Sequence, residues 1–439
     1  MTEDLSEDTN PQGRLFAAGL FVAIFLFFWV GTTPFPDLGG YIAAGAGAAT
    51  SNLLNQAVIL LISVLVIAML TLHPSRSLAM QAFVPAALVL GYMALTLVMV
   101  PGADSASRRL IFACLTCLSA SAVLILPRDD AQFARLIGGC LAVVLFLCYF
   151  GIVVLPQRSI HQLSDAMEPA LAGDWRGYFS HKNMTAACMV VTVFFSLYLI
   201  RKKLIWIGAP LAIFATLLLI KTGGKTSAAM LPAIMFTTWI FERMGPLRLV
   251  FVIGAVGLLN VTILSVAASP PIRDFVAALG VDPTFTDRAA IWVLALSSIS
   301  QRPLTGYGFQ SFWESDALVY GSHASSTWAV NASSAHNAYL DQLISGGWPL
   351  LLLTIIWLVV FPARHAGMAL QRGADPDLTR LYLRIWLFVL FAGSFESFFL
   401  DASGPIWFTM LIAVFGLRLQ AHAQLVEKPA DAAFELRPA

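Results

Sequence analysis

The chain has 439 residues, of which 58% are hydrophobic and 12% charged, and its formal net charge is +1. Soluble globular proteins carry about 25% charged residues. The composition therefore excludes an ordinary soluble protein and predicts a polytopic membrane protein. The near-zero net charge excludes nucleic acid as a partner. The five cysteines lie in apolar runs and lack the second Cys or His pair of a zinc site, so we expect no metal site.

The predicted fold is all-α and polytopic, with about 12 transmembrane helices, because about 20 mostly apolar residues cross the hydrocarbon core as a helix. The acidic N-terminus is unlike a signal peptide, so we expect the first run to be a retained span. Spans 1–9 are expected within residues 15–268 and spans 10–12 within 338–419, with cytoplasmic tails at 1–14 and 420–439. The apolar runs lie at residues 15–30, 53–72, 78–100, 108–126, 132–155, 183–200, 204–220, 226–241, 247–268, 338–361, 381–396 and 403–419.

Lysine and arginine residues orient the spans, because short cytoplasmic loops carry an excess of them. The short loop Arg201-Lys202-Lys203 is predicted to face the cytoplasm, and both termini then lie on that side. Two longer segments, residues 156–183 and 269–337, face the other side. Long connections in compact proteins are usually functional, so we expect the functional site on these two segments.

Two lysines between the seventh and eighth spans oppose the charge rule. Lys221 and Lys225 belong to the sequence KTGGKTS, a tight turn on the external side. Positive charge at this place predicts an anionic ligand, to which the backbone N–H groups of Gly223, Gly224 and the start of the next helix would also donate. The turn lacks the GxxxxGK[ST] spacing of a nucleotide-binding loop, so we exclude a Walker motif.

The sixth span begins with a polar triplet, His181-Lys182-Asn183, within the sequence GYFSHKNMTAA. A single Lys or His at the end of a span often only reaches for the membrane interface, and Arg176 nearby is open to the same interpretation. The triplet is followed at once by small residues, which allow a ligand or another helix to approach. We therefore count these polar residues as candidates for substrate binding.

The large polar segment, residues 269–337, carries the strongest candidates. The pattern after Thr284 predicts a short helix on the membrane surface with Arg288 at its N-terminal end, where a guanidinium suits a pyrophosphate. Arg302 precedes a turn broken by Pro and Gly, and it either binds phosphate or fixes that turn. His336 can accept a proton near neutral pH. Asn337 is expected to orient or cap the tenth span.

These motifs, in this order, resemble the O-antigen ligase and Wzy-type polymerase superfamily over roughly residues 175–350. The triplet at 181–183 and the turn at 224–227 are most similar to exopolysaccharide polymerases of the succinoglycan type. Lys225-Thr226-Ser227 departs from the family, which often has a Ser/Arg pair in that turn. The resembling residues of the large segment are Arg288-Ala-Ala-Ile-Trp292, Pro303-Leu-Thr-Gly-Tyr-Gly-Phe309 with Phe312, and His336-Asn-Ala-Tyr-Leu340 with Gly346-Gly347.

The resemblance implies a metal-independent glycosyltransferase without a cofactor, in a GT-C-like fold on the periplasmic face of the bacterial inner membrane. Its donor would be a glycan on undecaprenyl pyrophosphate. His336 would be the catalytic base and Arg288 the pyrophosphate clamp, assisted by Lys182 and Lys225, with surrounding cations favouring a neutral His336. His181 is the rival base. The remaining candidates for substrate binding are Asn183, Asn337, Lys221, Arg302 and Arg176.

The expected partners are a lipid-linked oligosaccharide donor, a glycan acceptor, membrane lipid, and a flippase and chain-length regulator of the same pathway. A ligase that moves glycan onto lipid A core differs only in its acceptor, which no residue decides, although the triplet at 181–183 favours a polymerase. A transporter is the alternative of another class, but the halves of the chain have no matching pair of broken helices. A purely structural subunit would not explain external Lys221, Lys225 and Arg288 together.

The orientation predicts the result of reporter fusions along the chain. Fusions near residues 165 and 310 should report the external side, and fusions near 202 and 370 the cytoplasm, because the basic short loops stay inside. Paired phosphatase and fluorescent-protein reporters measure this. A cytoplasmic signal near residue 310 would contradict the placement of the functional segment.

Overall fold

The computed structural model describes residues 11–38, 53–72, 76–98, 104–165, 168–280, 282–285, 288–321 and 327–422. Within these residues every regular element is a helix, apart from one antiparallel bridge between Ile160 and Trp175.

The helices fall into an N-terminal and a C-terminal series. The first series is α1 Pro11–Val30, α2 Leu53–Leu72, α3 Arg76–Val98, α4 Asp104–Val123, α5 Asp130–Val154, α6 Pro156–Ser159, α7 Lys182–Arg201, α8 Ile205–Lys221, α9 Lys225–Arg243 and α10 Arg248–Ala268. The second series is α11 Pro270–Ala278, α12 Arg288–Gln301, α13 Asp316–Val319, α14 Ala338–Ile355, α15 Phe361–Arg372, α16 Pro376–Ala392 and α17 Pro405–His422. Short 3-10 turns lie at Pro169–Leu171, Gly245–Leu247 and Trp328–Asn331.

The all-α polytopic membrane fold predicted from the sequence is confirmed. Every predicted apolar run is helical over most of its length. Among the described residues, 7 helices are long and apolar enough to cross a membrane, and two shorter apolar helices lie at Phe83–Val98 and Ile205–Lys221. The first helix begins at Pro11, inside the predicted tail, and the last ends at His422. The rest of both predicted tails, 1–10 and 423–439, lies outside the described residues.

The centre of the bundle is formed by α7, α16 and α17. These helices contact one another and bury side chains around most of their circumference. A helix that is apolar on all sides is typical of such a central position. Outer helices instead expose large apolar residues, such as Leu60 and Val64 of α2 and Val250 and Leu258 of α10. These exposed faces are the surface suited to lipid tails.

Two predicted spans differ from the helices that form. The tenth was predicted to end at residue 361, but α14 continues through a π-helical turn, Ile356–Val360, into α15 and reaches Arg372. The eleventh was predicted at 381–396, but α16 ends at Ala392, and residues 393–404 form an irregular loop. Gly393 caps the end of α16. The loop after it places Glu396 outside the helix, at the end of the bundle where the large segment lies.

Helix α14 is broken at Gly346 and Gly347, whose backbone is not helical. The turn at residues 303–308 fills the break: Tyr307 N donates to Ile344 O at 2.7 Å, Gly308 N to Ser345 O at 3.0 Å, and Trp348 N to Pro303 O at 2.8 Å. Irregular backbone at membrane depth is tolerated when protein groups satisfy its hydrogen bonds. The two glycine-containing motifs are therefore one structural unit, which joins the large segment to α14.

We expect Gly347→Ala to destabilise the protein. Gly347 has a φ of +67°, and an added Cβ would collide with Pro303 O, a backbone atom that cannot move freely. Left-handed strain costs about 1–3 kcal/mol for a residue with a side chain, and the collision adds to it. The thermal unfolding midpoint in detergent measures the loss. Gly257→Ala in α10 is the control, because no atom lies within 4 Å of its added Cβ. Equal midpoints for the two variants would contradict the proposed unit.

Candidate active site

Side chains from three separate parts of the chain meet at the carboxylate of Glu396. Arg288 Nη2 lies 2.6 Å from Glu396 Oε1. Asn183 Nδ2 donates to the same oxygen at 3.1 Å. The other oxygen, Oε2, lies 3.5 Å from His336 Nδ1. Candidates predicted at the start of the sixth span, in the large segment and before the tenth span therefore converge on one group.

Arg288 is positioned by the helix that it begins. α12 starts at Arg288 and buries Ile291 and Trp292 within its first turns. These side chains belong to a hydrophobic cluster with Ile263 of α10 and Leu340 of α14. The predicted short helix therefore forms, and its apolar residues pack on protein. This anchoring holds the guanidinium against Glu396, with 15% of the Arg288 side chain exposed.

His336 is held in a backbone conformation that is unusual for a residue with a side chain. Its φ is +46°, in the left-handed region that few non-glycine residues occupy. The preceding peptide is fixed on both sides: Trp292 Nε1 donates to Ala335 O at 3.0 Å, and Ala335 N donates to Asp341 Oδ1 at 3.0 Å. Strain that the surroundings maintain in this way is concentrated at functional sites, which favours a functional interpretation of His336.

Asn337 caps α14 and joins it to the Glu396 loop. Its Oδ1 accepts from the backbone N–H groups of Tyr339 and Leu340, both at 3.0 Å. Its Nδ2 donates to Asn260 Oδ1 at 2.9 Å and to Ser394 O at 3.0 Å. Asn337 is fully buried. Its polar atoms are engaged within the protein, so it positions the neighbours of the site and has no atom left for a substrate.

His181, the rival base, has both ring nitrogens engaged. Nδ1 accepts from Asn183 N at 3.0 Å and caps α7. Nε2 lies 2.8 Å from Glu168 Oε2. A neutral imidazole has one donor and one acceptor nitrogen, and this arrangement uses both. By contrast, His336 Nε2 has no hydrogen bond from any residue in the described ranges. The geometry therefore favours His336 over His181 as a proton acceptor.

Lys182 and the loop before α7 form a second group of contacts. Lys182 Nζ lies 2.5 Å from Asp174 Oδ2. The Lys182 backbone N–H lies 3.3 Å from Nε2 of the buried His161, whose Nδ1 lies 3.2 Å from Asp165 Oδ2. Burial and the charge of His181 lower the pKa of His161. These contacts fix the start of α7 and therefore the positions of His181 and Asn183.

The turn between α8 and α9 packs on this loop. Trp175 N donates to Lys221 O at 3.0 Å, and Lys221 Nζ lies 5.8 Å from the centre of the Trp175 ring. The prediction that backbone N–H groups of the turn bind an anion is wrong for Gly223 and Gly224. Gly223 N donates to Ile220 O, and Gly224 N donates to Thr222 Oγ1. The turn satisfies these two donors itself, so the exposed Lys221 and Lys225 side chains and the first N–H groups of α9 remain its candidate contacts.

Two further predicted contacts, Arg176 and Arg302, have structural positions instead. Arg176 is 1% exposed and donates to Phe179 O at 2.9 Å and to Pro36 O at 3.1 Å. Arg302 lies outside the Glu396 group, with its guanidinium carbon 4.9 Å from the centre of the Tyr307 ring. Arg176 therefore holds a buried loop together, and Arg302 fixes the turn that enters the α14 break.

The charges around the site are paired. Burial opposes ionisation of Glu396, but its hydrogen bond with His336 and the charges of Arg288 and His336 outweigh burial, so the pKa of Glu396 is lowered. The hydrogen bond with His181 lowers the pKa of Glu168, and the charge of His336 adds to the effect. The charges near His336 include an anion as well as the expected cations, because its Nδ1 faces the Glu396 carboxylate.

Glu396 and Glu168 are the polar members of the site that the sequence analysis missed. Glu396 was placed in the eleventh predicted span, in the run FESFF. An ionisable residue inside a predicted span is unfavourable in lipid and is usually functional. This local feature could have identified Glu396. Glu168 had no such signal, because its segment was already predicted to be polar. Only folding brings its carboxylate to His181.

Comparison with known proteins finds a family match over the part of the chain that holds Asn183, Arg288 and His336. Residues 179–355 match the family model described as O-antigen ligase. These residues therefore form an O-antigen ligase domain. A segment of 82 residues is also 38% identical to the general O-oligosaccharyltransferase of Acinetobacter baylyi. That match covers 17% of this chain and 14% of the relative's length.

The O-antigen ligase domain contains most, but not all, of the candidate site. It includes Asn183, Arg288 and His336, whereas Glu168 and Glu396 lie outside the matched residues. The superfamily predicted from the motifs is confirmed. Since Glu396 holds three side chains of the domain together, the domain needs the loop after α16 to complete this arrangement.

We expect Glu396→Gln to lower stability by about 1.5–3 kcal/mol near pH 7, because hydrogen bonds to charged groups contribute about that much. The pKa of Glu396 is lowered on folding. The stability that ionised Glu396 adds is thus fully present above its pKa in the unfolded chain, about 4.3. That stability is lost as the pH falls through the lower pKa of the folded state. The difference in unfolding midpoint between wild type and variant should hold down to about pH 5 and shrink below it. Glu314→Gln, at an exposed position, is the control. A difference independent of pH would show that Glu396 is not the ionised partner.

Proposed function

We propose that this chain is an inner-membrane glycosyltransferase that transfers a glycan from undecaprenyl pyrophosphate to a sugar hydroxyl, and that it polymerises exopolysaccharide repeat units. The observation that carries the proposal is the convergence of Arg288 and His336 on Glu396. This convergence brings a permanent cation and a proton acceptor next to each other at one end of the membrane helices. The O-antigen ligase domain supports glycan transfer from a lipid-linked donor.

Arg288 binds the donor pyrophosphate in this proposal. A guanidinium has five N–H donors in a planar fork, and its bond to Glu396 engages the Nη2 nitrogen. The remaining edge is suited to phosphate oxygens, a role that the point charge of a lysine does not replace. Exposed Lys225 and the Lys182 side chain, now paired with Asp174, are the secondary cations. These cationic side chains stabilise the negative charge on the leaving pyrophosphate without a divalent metal ion. Transfer should therefore persist in EDTA.

His336 is the base in this proposal, and Glu396 is its positioning residue. Glu396 Oε2, 3.5 Å from Nδ1, favours the tautomer that carries its proton on Nδ1 and its lone pair on Nε2. The acceptor oxygen bonds to the anomeric carbon while the bond from that carbon to the phosphate oxygen breaks. The hydroxyl proton goes to His336 Nε2, and the pyrophosphate leaves with the electron pair. Direct displacement of this kind inverts the configuration at the anomeric carbon.

The acceptor decides between a polymerase and its alternative, a ligase that moves glycan onto lipid A core. The name of the Acinetobacter relative describes transfer of an oligosaccharide to an oxygen, which agrees with a hydroxyl acceptor. The resemblance of His181-Lys182-Asn183 to exopolysaccharide polymerases favours the polymerase. The expected companions are a flippase that delivers the donor and a chain-length regulator.

Deletion of the gene tests the acceptor. We expect loss of high-molecular-weight secreted polysaccharide while lipopolysaccharide and protein-bound glycan stay unchanged, because only the growing polymer would lose its acceptor reaction. Gel analysis of the three fractions measures this, with plasmid-borne wild type as the control. Loss of full-length lipopolysaccharide with intact secreted polymer would favour the ligase. No change in any glycan would contradict both.

His336→Ala should lower glycan transfer by about 10²–10⁴-fold, the usual contribution of a general base. Turnover of a lipid-linked glycan by purified protein in detergent measures the effect, and the unfolding midpoint shows whether the variant is folded. His181→Asn keeps a side chain that can cap α7 and should retain far more activity than His336→Ala. The reverse order of these two activities would show that His336 is not the base.

A further inference from the structure

A cavity of about 520 Å³ lies at the end of the bundle opposite Glu396. It is formed where α10 begins, between that helix, α15 and the end of α17. Its polar lining consists of the basic side chains of Arg248, Arg364, His365 and His422 together with the neutral Gln371. No acidic side chain lines it among the residues that the structure describes. Its volume is in the range of ligand sites, about 300–1,000 Å³.

The Arg248 guanidinium is fixed at the edge of this basic cavity. Its Nε donates to Phe241 O at 3.0 Å and its Nη2 to Glu242 O at 2.9 Å. The Glu242 carboxylate, the nearest anion, is instead paired with Arg380 at 2.6 Å. Arg248 therefore keeps its full charge beside the cavity without a carboxylate of its own. Arg364 is exposed at the cavity and forms no ion pair within the described residues.

Two histidines line the cavity beside the arginines, and one ring nitrogen of His365 is unsatisfied. His365 is 8% exposed, and its Nδ1 is buried without a hydrogen-bond partner in the described part of the chain. The His365 and His422 rings are 5.2 Å apart, edge to face. Arg372 donates to Ala421 O at 2.5 Å, which fixes the end of α17 and keeps His422 in place. A buried polar atom without a partner is unfavourable, and a bound group at the cavity would supply the partner that the fold does not.

This cavity is separate from the candidate active site. His336 precedes α14, and His365 lies in α15, which continues from α14 through the π-helical turn. At about 1.5 Å per residue, the helical path between them is roughly 40 Å. The basic loop Arg201-Lys202-Lys203 ends α7 at this same end, since Asn183 at the other end of α7 contacts Glu396.

We propose that the basic cavity binds a phosphate group, brought by the headgroup of an anionic phospholipid. Two guanidinium groups and two imidazoles match the acceptor-rich phosphate. Apolar Leu249, Phe361 and Met368 line the same cavity and suit the glycerol and upper acyl region. The neighbouring Leu247 and Val250 are 58% and 67% exposed, so the cavity adjoins a lipid-facing surface. Basic pockets between membrane helices on the cytoplasmic side bind such headgroups.

The test compares lipid and free phosphate on the full chain in nanodiscs of phosphatidylcholine. Phosphatidylglycerol retained by the purified protein is counted by native mass spectrometry, and its apparent affinity is measured from the shift of the unfolding midpoint. Inorganic phosphate is titrated separately. The test variant is Arg364→Gln with His422→Gln, both at exposed positions. The control is Arg243→Gln, an exposed arginine that does not line the cavity and lies over Trp239.

Wild type and Arg243→Gln should bind phosphatidylglycerol alike, and the double variant should bind it at least about tenfold more weakly, since two charge-assisted contacts are lost. Unfolding midpoints in pure phosphatidylcholine check that all three proteins are folded. Phosphate binding that depends on Arg364 and His422, without phosphatidylglycerol binding, would assign the site to free phosphate. The phosphate site is refuted if neither probe binds better than phosphatidylcholine, or if the control loses as much affinity as the double variant.

Discussion

The carboxylate of Glu396 is the group on which the candidate site depends. It is the common partner of Arg288, Asn183 and His336, which lie on the α12 helix, at the start of α7 and just before α14. Each of these elements has its own anchoring, but only the carboxylate relates the three polar side chains to one another. Burying one unpaired charge among them would be strongly unfavourable, whereas the paired set offsets the loss of water. The same pairing that stabilises the loop after α16 therefore brings His336 and Arg288 next to each other, as the proposed mechanism requires.

The arrangement around this carboxylate rests on backbone features rather than on the charges alone. The break at Gly346 and Gly347 receives the turn at 303–308, which fixes the large segment relative to α14. Asn337 caps α14 and also bonds to the loop that carries Glu396. In the chain, His336 follows the turn at 303–308 and directly precedes Asn337, and its backbone is left-handed. Because the backbone around His336 is fixed through its peptide neighbours, its ring needs no further anchor, and within the described residues its Nε2 has no hydrogen-bond partner.

Cations at both ends of the bundle are paired with carboxylates, with the basic cavity as the exception. Around Glu396, cations are paired with carboxylates, as in Lys182 with Asp174 and Arg288 with Glu396. At the opposite end, Lys202 bridges Asp130 and Asp375 and ties α5, α7 and α16 together. The basic cavity near His365 is different, because its lining within the described residues holds no carboxylate.

The sequence alone determined the membrane class, the positions of the helices and the motifs that identify the superfamily, because apolar run length and short motifs are local properties. It also pointed to Arg288 and His336 as the main chemical groups. The tertiary structure decided what each polar residue does. Arg176 and Arg302 had the same local appearance as Arg288, but folding buries the first on backbone carbonyls and places the second on Tyr307. Glu396 was hidden in an apolar run whose helix ends early. Its partners are distant in the chain, as the 108 residues between Arg288 and Glu396 illustrate, and no local pattern encodes which distant side chains a carboxylate will meet.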